Sequence, residues 1–418
     1  YGLIGAKLGH SYSKIIHELL LPQYPYELHP LPTEAEARQF LEQRPFQAIN
    51  VTIPYKQLVI PYCEAVDARA SAIGAVNTIV NRDGKLYGHN TDFGGFLYMV
   101  KAHGVSLRGK TVLILGTGGT HNTVAAVCRS EGAAEILTVS RRAGEGQLDY
   151  AQAAARTDVQ IVVNTTPAGM YPDNGGCLLE LGGFDRLEAV FDVVYNPFRT
   201  ELLLRAEEKG AVAVCGFEML VAQAVYAAEY FHSAPIDHAK IGEIHKALKA
   251  KLCNISIIGM PSSGKTTIGK ALAEKLGKTF VDLDEEIVRR AGKSIPDIFA
   301  QKGEAAFRRL ETEAAAEAAK HTGQVISCGG GIVKTPGNAR LLRQNGPVLW
   351  IRRPLKALTV GGGRPLSSSR EALEKMEAER LPLYRAAADG IVENSGSLEQ
   401  AITAAEEVFY EILDSERT

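Results

Sequence analysis

Short apolar runs that end in glycine-rich or polar turns recur along the chain, and segments with helical periodicity follow them. The clearest runs lie at residues 111–115, 161–163, 255–258 and 325–327. Alternation of buried strands with amphipathic helices is typical of α/β proteins with parallel sheets. The pattern therefore predicts an α/β fold built from several βαβ units.

Two of these turns, at Gly116 and Gly259, resemble phosphate-binding loops and lie about 140 residues apart. They predict two separate nucleotide-binding units. Residues 240–251 show the pattern of a lysine-rich amphipathic helix, and a new strand begins after Asn254. The boundary between the two halves is therefore expected near residues 251–254.

The charge of the chain is balanced, with 46 Lys and Arg residues against 48 Asp and Glu residues. Neither half has a marked basic excess, which disfavours nucleic-acid and membrane-surface partners. The six cysteines are scattered without a C-x-x-C pair, so a disulfide framework or structural metal site is not expected. A reducing compartment follows as the simpler interpretation, and we expect a cytoplasmic protein with small-molecule partners.

The first glycine loop is typical of a dinucleotide site, because glycines let backbone N–H groups approach a pyrophosphate at a helix N-terminus. His121 stands where the fingerprint usually has a small residue, and a purely structural turn stays open. The next apolar strand, Glu135–Val139, ends at Ser140, Arg141 and Arg142. Arginine there suits a 2′-phosphate, which favours NADP(H) over NAD, although a solvated arginine pair is the alternative.

Seven motifs in the first 250 residues give this half a specific resemblance. They are G-H-S-Y-S-K at residues 9–14, N-V-T-I-P-Y-K at 50–56, G-A-V-N-T at 74–78, G-H-N-T-D at 88–92, N-T-T-P-A-G-M at 164–170, D-V-V-Y-N-P at 192–197 and M-L-V-A-Q-A at 219–224. In this order they resemble the shikimate dehydrogenase family. The resemblance implies reduction of 3-dehydroshikimate with NADPH.

The resemblance also implies which residues act. Lys56 would supply or stabilise the proton of the new hydroxyl, and Asp92 would pair with it and with the substrate. Ser11 and Ser13 would bind the substrate carboxylate; a helix N-cap is the structural alternative. Thr52, Asn77, Tyr195 and Gln223 would complete the substrate site. The implied cofactor-binding residues are Gly116, Gly118, Gly119, Ser140, Arg141, Asn164, Thr165 and Met219.

The second glycine loop satisfies G-x-x-x-x-G-K-[ST] between a strand at residues 255–258 and a helix expected at residues 268–276, which is the context that a P-loop requires. Backbone N–H groups would hold the phosphates of ATP, Lys265 would reach the β- and γ-phosphates, and Thr266 would bind Mg²⁺. The ATP-binding residues expected from this loop are Gly259, Ser262, Gly264, Lys265, Thr266 and Thr267.

The rest of the second half, from about residue 254 to 418, resembles shikimate kinase. The resemblance depends on D-L-D at residues 282–284, G-E-x-x-F-R-x-x-E on an expected helix at 303–311, G-G-G at 329–331, G-R-P-L at 363–366 and R-x-P-L-Y at 380–384. It implies that Asp284 assists the nucleophile, that Asp282 supports Mg²⁺, and that Arg364 reaches ATP from a lid. Shikimate would be bound by Asp284, Arg308, Gly330, Gly331 and Arg380, although Arg308 could instead form ordinary helix ion pairs with Glu304 or Glu311.

Together the two resemblances imply a bifunctional enzyme that makes shikimate and then phosphorylates its 3-hydroxyl with MgATP. The expected domains are a substrate-binding domain (1–100 with helices returning at about 218–250), a Rossmann-type NADP domain (101–217) and a P-loop kinase domain (251–418). One alternative makes the C-terminal half a non-catalytic module that binds nucleotide or shikimate. Another is a quinate/shikimate dehydrogenase that uses NAD.

Overall fold

The computed structural model of the chain describes residues 1–9, 11–358 and 369–415. The chain forms two compact units, Tyr1–Tyr195 with Thr200–Lys246, and Asn196–Arg199 with Ala247–Thr418. Within the described ranges, no helix combines the length and apolar character that a membrane span needs.

The first unit begins with a mixed six-stranded sheet. Its strands are β1 (Gly2–Gly5), β2 (Glu27–Pro30), β3 (Ala48–Val51), β4 (Ala65–Val66), β5 (Thr78–Arg82) and β6 (Lys85–His89), in the order β2-β1-β3-β5-β6-β4. The accompanying helices are α1 (Ser13–Leu20), α2 (Glu34–Gln43), α3 (Ala68–Ile73) and α4 (Asp92–Ala102). Ile4, Ile49 and Ile79 of this sheet are fully buried, which places one core behind it.

A parallel five-stranded sheet follows in the same unit. It consists of β7 (Thr111–Leu115), β8 (Glu135–Val139), β9 (Ile161–Asn164), β10 (Ala189–Asp192) and β11 (Val212–Cys215), in the order β11-β10-β9-β7-β8. Its helices are α5 (Gly119–Ser130), α6 (Tyr150–Ala154), α7 (Glu201–Glu208) and α8 (Phe217–His232). The strand order reverses between β7 and β9, and such a switch point is where doubly wound sheets bind ligands.

Helix α8 returns from the second sheet and packs on α1 and α4. Glycines make the contact with α4 close, because a Cβ at Gly95 would lie 2.8 Å from the carbonyl oxygen of Met219. The approach brings Met219 and Gln223 of α8 beside the helix that begins at Asp92. Residues of both sheets can therefore contribute to one cleft.

The second unit contains another parallel five-stranded sheet. Its strands are β12 (Ile255–Ile258), β13 (Thr279–Asp282), β14 (Gln324–Ser327), β15 (Val348–Arg352) and β16 (Gly390–Glu393), in the order β13-β14-β12-β15-β16. The predicted α/β class with parallel sheets is confirmed. The remaining helices are α9 (Ala239–Leu252), α10 (Lys265–Leu276), α11 (Leu283–Ala291), α12 (Ile295–Lys320), α13 (Asn338–Arg343), α14 (Arg370–Ala387) and α15 (Leu398–Ser415).

The C-terminal end of α9 is held by a lysine of the second unit. The Lys278 Nζ donates hydrogen bonds to the carbonyl oxygens of Ala250 (2.7 Å), Lys251 (3.0 Å) and Cys253 (2.7 Å). The last carbonyls of a helix lack partners within the helix, and a cation there also interacts favourably with the helix dipole. Burial lowers the pKa of Lys278 to about 8. The finer domain boundaries expected at residues 100, 217 and 250 stay predictions.

Candidate functional sites

The predicted Lys56–Asp92 pair is formed. Lys56 follows β3, Asp92 opens α4, and the Lys56 Nζ lies 2.6 Å from the Asp92 Oδ2. Their side chains are only 17% and 11% exposed. An ion pair shielded from solvent in this way fixes the ammonium group in one direction, as a proton donor requires.

A network of buried amides and hydroxyls adjoins this pair. The Asn77 Oδ1 accepts a hydrogen bond from the backbone N–H of Thr91 (2.8 Å), and the Asn77 Nδ2 lies 3.1 Å from the Thr91 Oγ1. The same hydroxyl lies 3.5 Å from the Gln223 Oε1. Two predicted substrate-binding residues, Asn77 and Gln223, are thus connected through Thr91, which sequence reasoning did not assign.

The two N-terminal serines lie at the start of α1. The helix begins at Ser13, and Tyr12 rather than a serine occupies the N-cap position. The Ser11 Oγ accepts a hydrogen bond from the backbone N–H of Ser13 at 3.3 Å, but neither serine occupies the N-cap, so the structural alternative of an N-cap serine is wrong for both. Thr52 stands beside the end of β1, where a Cβ at Gly5 would lie 2.5 Å from its methyl group. Among the described residues, no hydrogen bond joins these three side chains to Lys56 or Asp92.

Tyr195 lies against the same N-terminal segment. Its ring and that of Tyr12 are 5.8 Å apart between centroids, and Tyr12 also contacts the ring of Phe217 at the start of α8. Burial, with a smaller contribution from Tyr12, raises the pKa of Tyr195 above its usual value. The phenol is therefore neutral and available as a hydrogen-bond donor near neutral pH.

The first glycine loop connects β7 to α5 as predicted. Gly116 has a φ of 100°, Gly118 occupies the N-cap of α5, and a Cβ at Gly118 or Gly119 would meet no atom within 4 Å. The N-terminus of α5 is thus open to a phosphate group. His121, which stands where the fingerprint usually has a small residue, connects α5 with β8, because its Nε2 lies 2.9 Å from the Thr138 Oγ1.

Ser140 and Arg141 follow the last residue of β8. The Ser140 Oγ accepts the backbone N–H of Arg142 at 3.3 Å, and the side chains of Arg141 and Arg142 are exposed. The predicted arginine pair therefore stands at the carboxyl end of the strand beside the glycine loop, where a dinucleotide places its adenosine ribose.

Asn164 and Thr165 end the neighbouring strand β9 at the switch point. The Thr165 Oγ1 donates to the carbonyl oxygen of Leu115 at 2.7 Å, directly before Gly116. The Asn164 Nδ2 donates to the Oδ1 of Asp192 at 2.9 Å. Asp192 is fully buried, and this burial raises its pKa to about 7, although hydrogen bonds from Thr200, Val194 and Asn164 oppose the shift.

The raised pKa of Asp192 predicts a pH-dependent stability. The folded chain binds the Asp192 proton more tightly than the unfolded chain does. This proton therefore stabilises the folded state below about pH 4, and the stabilisation is lost as the pH rises towards 7. Asp192→Asn removes the titration, so the variant should gain a few kcal/mol relative to the wild type between about pH 4 and pH 8. Urea unfolding followed by circular dichroism checks this, and a difference that does not change with pH would contradict it.

In the second unit, the P-loop lies between β12 and α10 as predicted. Gly259 and Gly264 have φ values of 148° and 98°, which side-chain-bearing residues rarely adopt. The Lys265 Nζ donates to the carbonyl oxygens of Gly259 (3.0 Å) and Met260 (2.9 Å). Ser262 lies in the loop, and Thr267 is exposed in the first turn of α10. The helix begins at Lys265, three residues earlier than predicted.

The two residues predicted to bind Mg²⁺ are neighbours. The Thr266 Oγ1 lies 3.0 Å from the Asp282 Oδ2, and Asp282 caps α11 by accepting the backbone N–H of Asp284 at 3.0 Å. Hydroxyl and carboxylate oxygens are the ligands that Mg²⁺ prefers, so this donor set fits the ion.

The Gly329–Gly330–Gly331 turn after β14 gathers the predicted shikimate-binding residues. A Cβ at Gly329 would lie 2.9 Å from the Asp284 Oδ1, and one at Gly331 would lie 2.3 Å from the Arg308 Nη1. The Arg380 Nη1 donates to the carbonyl oxygen of Gly330 at 2.8 Å. Gly330 also abuts the P-loop, since a Cβ there would lie 3.0 Å from the Cδ of Pro261. The turn therefore connects the phosphate loop with Asp284, Arg308 and Arg380.

Arg308 forms both ion pairs expected of a helix, with Glu304 at 3.0 Å and Glu311 at 2.7 Å. Glu311 is only 1% exposed, and burial raises its pKa above the usual range, with Arg308 opposing the shift. The buried carboxylate therefore fixes Arg308 against Gly331. Sequence reasoning treated Glu311 only as a helix-pairing residue, and it gave no role to Tyr384, whose hydroxyl donates to the Gly330 carbonyl.

Two further sequence-based expectations concern Gly303 and Arg364. Gly303 was expected on the helix that carries Arg308, but its φ of 75° and ψ of 174° interrupt α12, because glycine tolerates a backbone conformation that ends a helical segment. Arg364, the predicted lid residue, lies outside the described residues.

Comparisons with known proteins agree with both halves. A family model described as shikimate dehydrogenase substrate binding domain matches residues 3–79, and one described as shikimate kinase matches residues 261–415. The chain is 32% identical over 267 residues to the NADP(+) shikimate dehydrogenase of Clostridium perfringens strain 13, covering 60% of this chain and 98% of that protein. Identity to the corresponding enzyme of Halothermothrix orenii is 37% over 256 residues, covering 54% of this chain and 88% of that protein.

Solved structures give the same result for the first half. A chorismate mutase/shikimate 5-dehydrogenase fusion protein from Clostridium acetobutylicum aligns with a TM-score of 0.56 and 31% identity, covering 60% of this chain and 97% of that one. A Thermus thermophilus shikimate 5-dehydrogenase in complex with NADP(H) and shikimate aligns with a TM-score of 0.53 and 29% identity, covering 59% and 98%. The chain belongs to the shikimate dehydrogenase family and carries a shikimate kinase domain in its C-terminal half.

Proposed function

We propose that the chain catalyses two successive reactions, the NADPH-dependent reduction of 3-dehydroshikimate to shikimate and the MgATP-dependent phosphorylation of shikimate at its 3-hydroxyl. The observation that carries the proposal is the pairing, in one chain, of the shielded Lys56–Asp92 contact with a P-loop that adjoins a glycine turn bearing Asp284, Arg308 and Arg380. The product of the first reaction is the substrate of the second.

In the first reaction, NADPH supplies the hydride that adds to the ketone carbon. Lys56 donates a proton to the carbonyl oxygen as negative charge develops on it, so that ketone, hydride and proton together give the alcohol. Asp92 pairs with the ammonium group of Lys56 and accepts a hydrogen bond from a substrate hydroxyl. Ser11, Ser13, Thr52, Asn77, Tyr195 and Gln223 bind the carboxylate and the remaining hydroxyls.

The cofactor-binding role belongs to the switch point of the second sheet. Backbone N–H groups at Gly116, Gly118 and Gly119 bind the pyrophosphate at the start of α5. Ser140 and Arg141 bind the 2′-phosphate, while Asn164, Thr165 and Met219 line the remaining cofactor surface.

In the second reaction, ATP supplies the γ-phosphoryl group. Arg308 and Arg380 bind the shikimate carboxylate, and Asp284 accepts the proton of the attacking hydroxyl. Lys265 exchanges its contacts with Gly259 and Met260 for phosphate oxygens. Thr266 and Asp282 hold Mg²⁺, and Arg364 neutralises charge on the transferring group.

The test incubates the purified chain with shikimate and either NADP⁺ or MgATP and follows NADPH and shikimate 3-phosphate separately. We expect both products. If ATP yields no shikimate 3-phosphate while NADPH forms, the C-terminal half is a non-catalytic binding module, and the proposal of two activities is wrong.

The role of Arg141 predicts a cofactor-specific defect. Arg141→Ala should raise the KM for NADP⁺ about tenfold, because a charge-assisted contact to the 2′-phosphate is lost, and should leave the KM for NAD⁺ nearly unchanged. Arg142→Ala provides the matched control on the adjacent exposed arginine and should have a smaller effect. A wild type that uses NAD⁺ as well as NADP⁺ would remove the basis for this role.

A further inference from the structure

Asp192, at the end of β10, has no part in the reactions described above, although its carboxylate is fully buried. It accepts three hydrogen bonds, from the Asn164 Nδ2 (2.9 Å), the backbone N–H of Val194 (3.0 Å) and the Thr200 Oγ1 (2.7 Å). These donors belong to the end of β9, the loop after β10 and the N-cap of α7. A buried carboxyl group is costly unless its oxygens are bonded, and here both oxygens are.

The contact with Asn164 determines how that amide is oriented. The Asp192 Oδ1 acts only as an acceptor, so it selects the orientation in which the Asn164 Nδ2 faces it. The Asn164 Oδ1 then faces Thr166 and accepts its backbone N–H (3.0 Å) and its hydroxyl (2.7 Å). A reversed amide would place two acceptors together at the Asp192 Oδ1 and two donors together at the backbone N–H of Thr166.

Thr166 in turn contacts the first glycine of the dinucleotide loop. A Cβ at Gly116 would lie 2.6 Å from the Thr166 Cγ2 and 3.1 Å from the Thr165 Oγ1. The orientation of Asn164 therefore determines the surface on which Gly116 lies. Full burial prevents Asp192 itself from touching a bound cofactor, so any effect on the cofactor is transmitted through these neighbours.

The hydrogen bond between Asp192 and Val194 acts at the other edge of the cleft. This bond fixes the backbone directly before Tyr195, whose ring lies against Tyr12. One carboxylate thus supports both the Asn164–Thr166 segment and the segment that carries Tyr195. The remaining hydrogen bond, from the Thr200 hydroxyl, connects Asp192 only to the start of α7.

We propose that Asp192 is a positioning residue of the dehydrogenase site, which fixes the amide orientation of Asn164 and so shapes the NADP(H)-binding edge beside Gly116. This inference rests on the proposed function of the first half. It assigns to Asp192 an influence on the affinity for the cofactor, rather than a role confined to folding.

The experiment compares Asp192→Ala, Asp192→Asn and Thr200→Val in the full-length chain. Steady-state kinetics give the KM for NADP⁺, calorimetry gives direct NADP⁺ binding, and thermal melting gives stability. Asp192→Ala should raise the KM and the Kd for NADP⁺ about tenfold or more, the size expected when buried donors lose their acceptor. Asp192→Asn keeps an acceptor for Asn164 and Val194, so it should restore affinity to within about threefold of the wild type.

Thr200→Val is the matched structural control, because it removes only the hydrogen bond from Thr200 to Asp192 and the N-cap of α7. It should lower the melting temperature and leave the affinity for NADP⁺ unchanged. In an Asn164→Ala background, Asp192→Ala should add less than about twofold, since the same contact is already lost.

Several outcomes would overturn the inference: unchanged NADP⁺ affinity in a folded Asp192→Ala variant, an equal loss in Thr200→Val, or effects that multiply in the double variant. If Asp192→Ala does not fold, Asn164→Asp tests the same contact with the side-chain size kept, and unchanged affinity there counts equally against it. A wild type that binds NADP⁺ and oxidises shikimate, with variants that do not differ, refutes this inference alone. A wild type that neither binds NADP⁺ nor oxidises shikimate refutes the proposed function as well.

Discussion

Lys56→Ala should lower kcat for shikimate oxidation by about two to four orders of magnitude, the range that a positioned proton-transfer group contributes. The Lys56 ammonium is shielded and lies 2.6 Å from Asp92, so water cannot readily replace it as an oriented donor. NADPH formation at saturating shikimate and NADP⁺ measures the effect. Phosphorylation by the same preparation should be unchanged, because it depends on residues of the second unit.

Lys85→Ala is the matched control in the first unit. Lys85 is 60% exposed, and its nearest acidic partner, Glu64, lies 3.6 Å away. Exposed pairs of this kind contribute little, so both activities should survive the substitution. If Lys56→Ala retained more than about a tenth of the wild-type rate, Lys56 would not be the proton donor.

Lys265→Ala should have the converse effect and lower the rate of shikimate phosphorylation by at least about 10²- to 10³-fold, the usual cost of removing one preorganised charge-stabilising donor. In the structure, the Lys265 Nζ is already confined to the P-loop by the carbonyl oxygens of Gly259 and Met260. The amine therefore lies within reach of bound phosphates without a large change in its side-chain conformation. Formation of shikimate 3-phosphate gives the rate, and NADPH formation should remain at the wild-type level.

Lys275→Ala tests a lysine of the same helix, since Lys275 lies ten residues further along α10 and pairs with Glu406 at 2.5 Å. It should leave phosphorylation nearly intact. A Lys265→Ala variant with normal phosphorylation would show that this P-loop does not act on the γ-phosphate, and a simultaneous loss of NADPH formation would show that the two activities are not independent.

The strands and phosphate loops were predictable because they depend on local sequence. Buried strands read as apolar runs, and glycines with positive φ mark the turns that follow them, so Thr111–Leu115 and Ile255–Ile258 were placed correctly. The start of α10 was predicted three residues late. The helical pattern of apolar positions begins only at Ile268, whereas the turn at Gly264 leads directly into the helix.

The supporting residues of the sites were not predictable in the same way. Glu311 and Arg308 have ordinary helix-pair spacing, and only the approach of the Gly329–Gly331 turn buries one and confines the other. Asp192 and Tyr384 stand inside motifs that the sequence displays, but their roles depend on contacts with other elements, such as that of Asp192 with Asn164 at the end of the neighbouring strand. The bond from Tyr384 to Gly330, for example, joins residues 54 positions apart. Such contacts follow from tertiary packing, which no local pattern encodes.

The way in which Lys278 holds the end of α9 determines where the chain can be cut to express its kinase half alone. A fragment that begins at Asn254 retains Lys278 but lacks the carbonyl groups of Ala250, Lys251 and Cys253. The partly buried Lys278 ammonium group would then have lost these three acceptors, which is costly. A fragment that begins at Ala247, where the second unit starts, keeps all three and is the better starting point for a separable kinase.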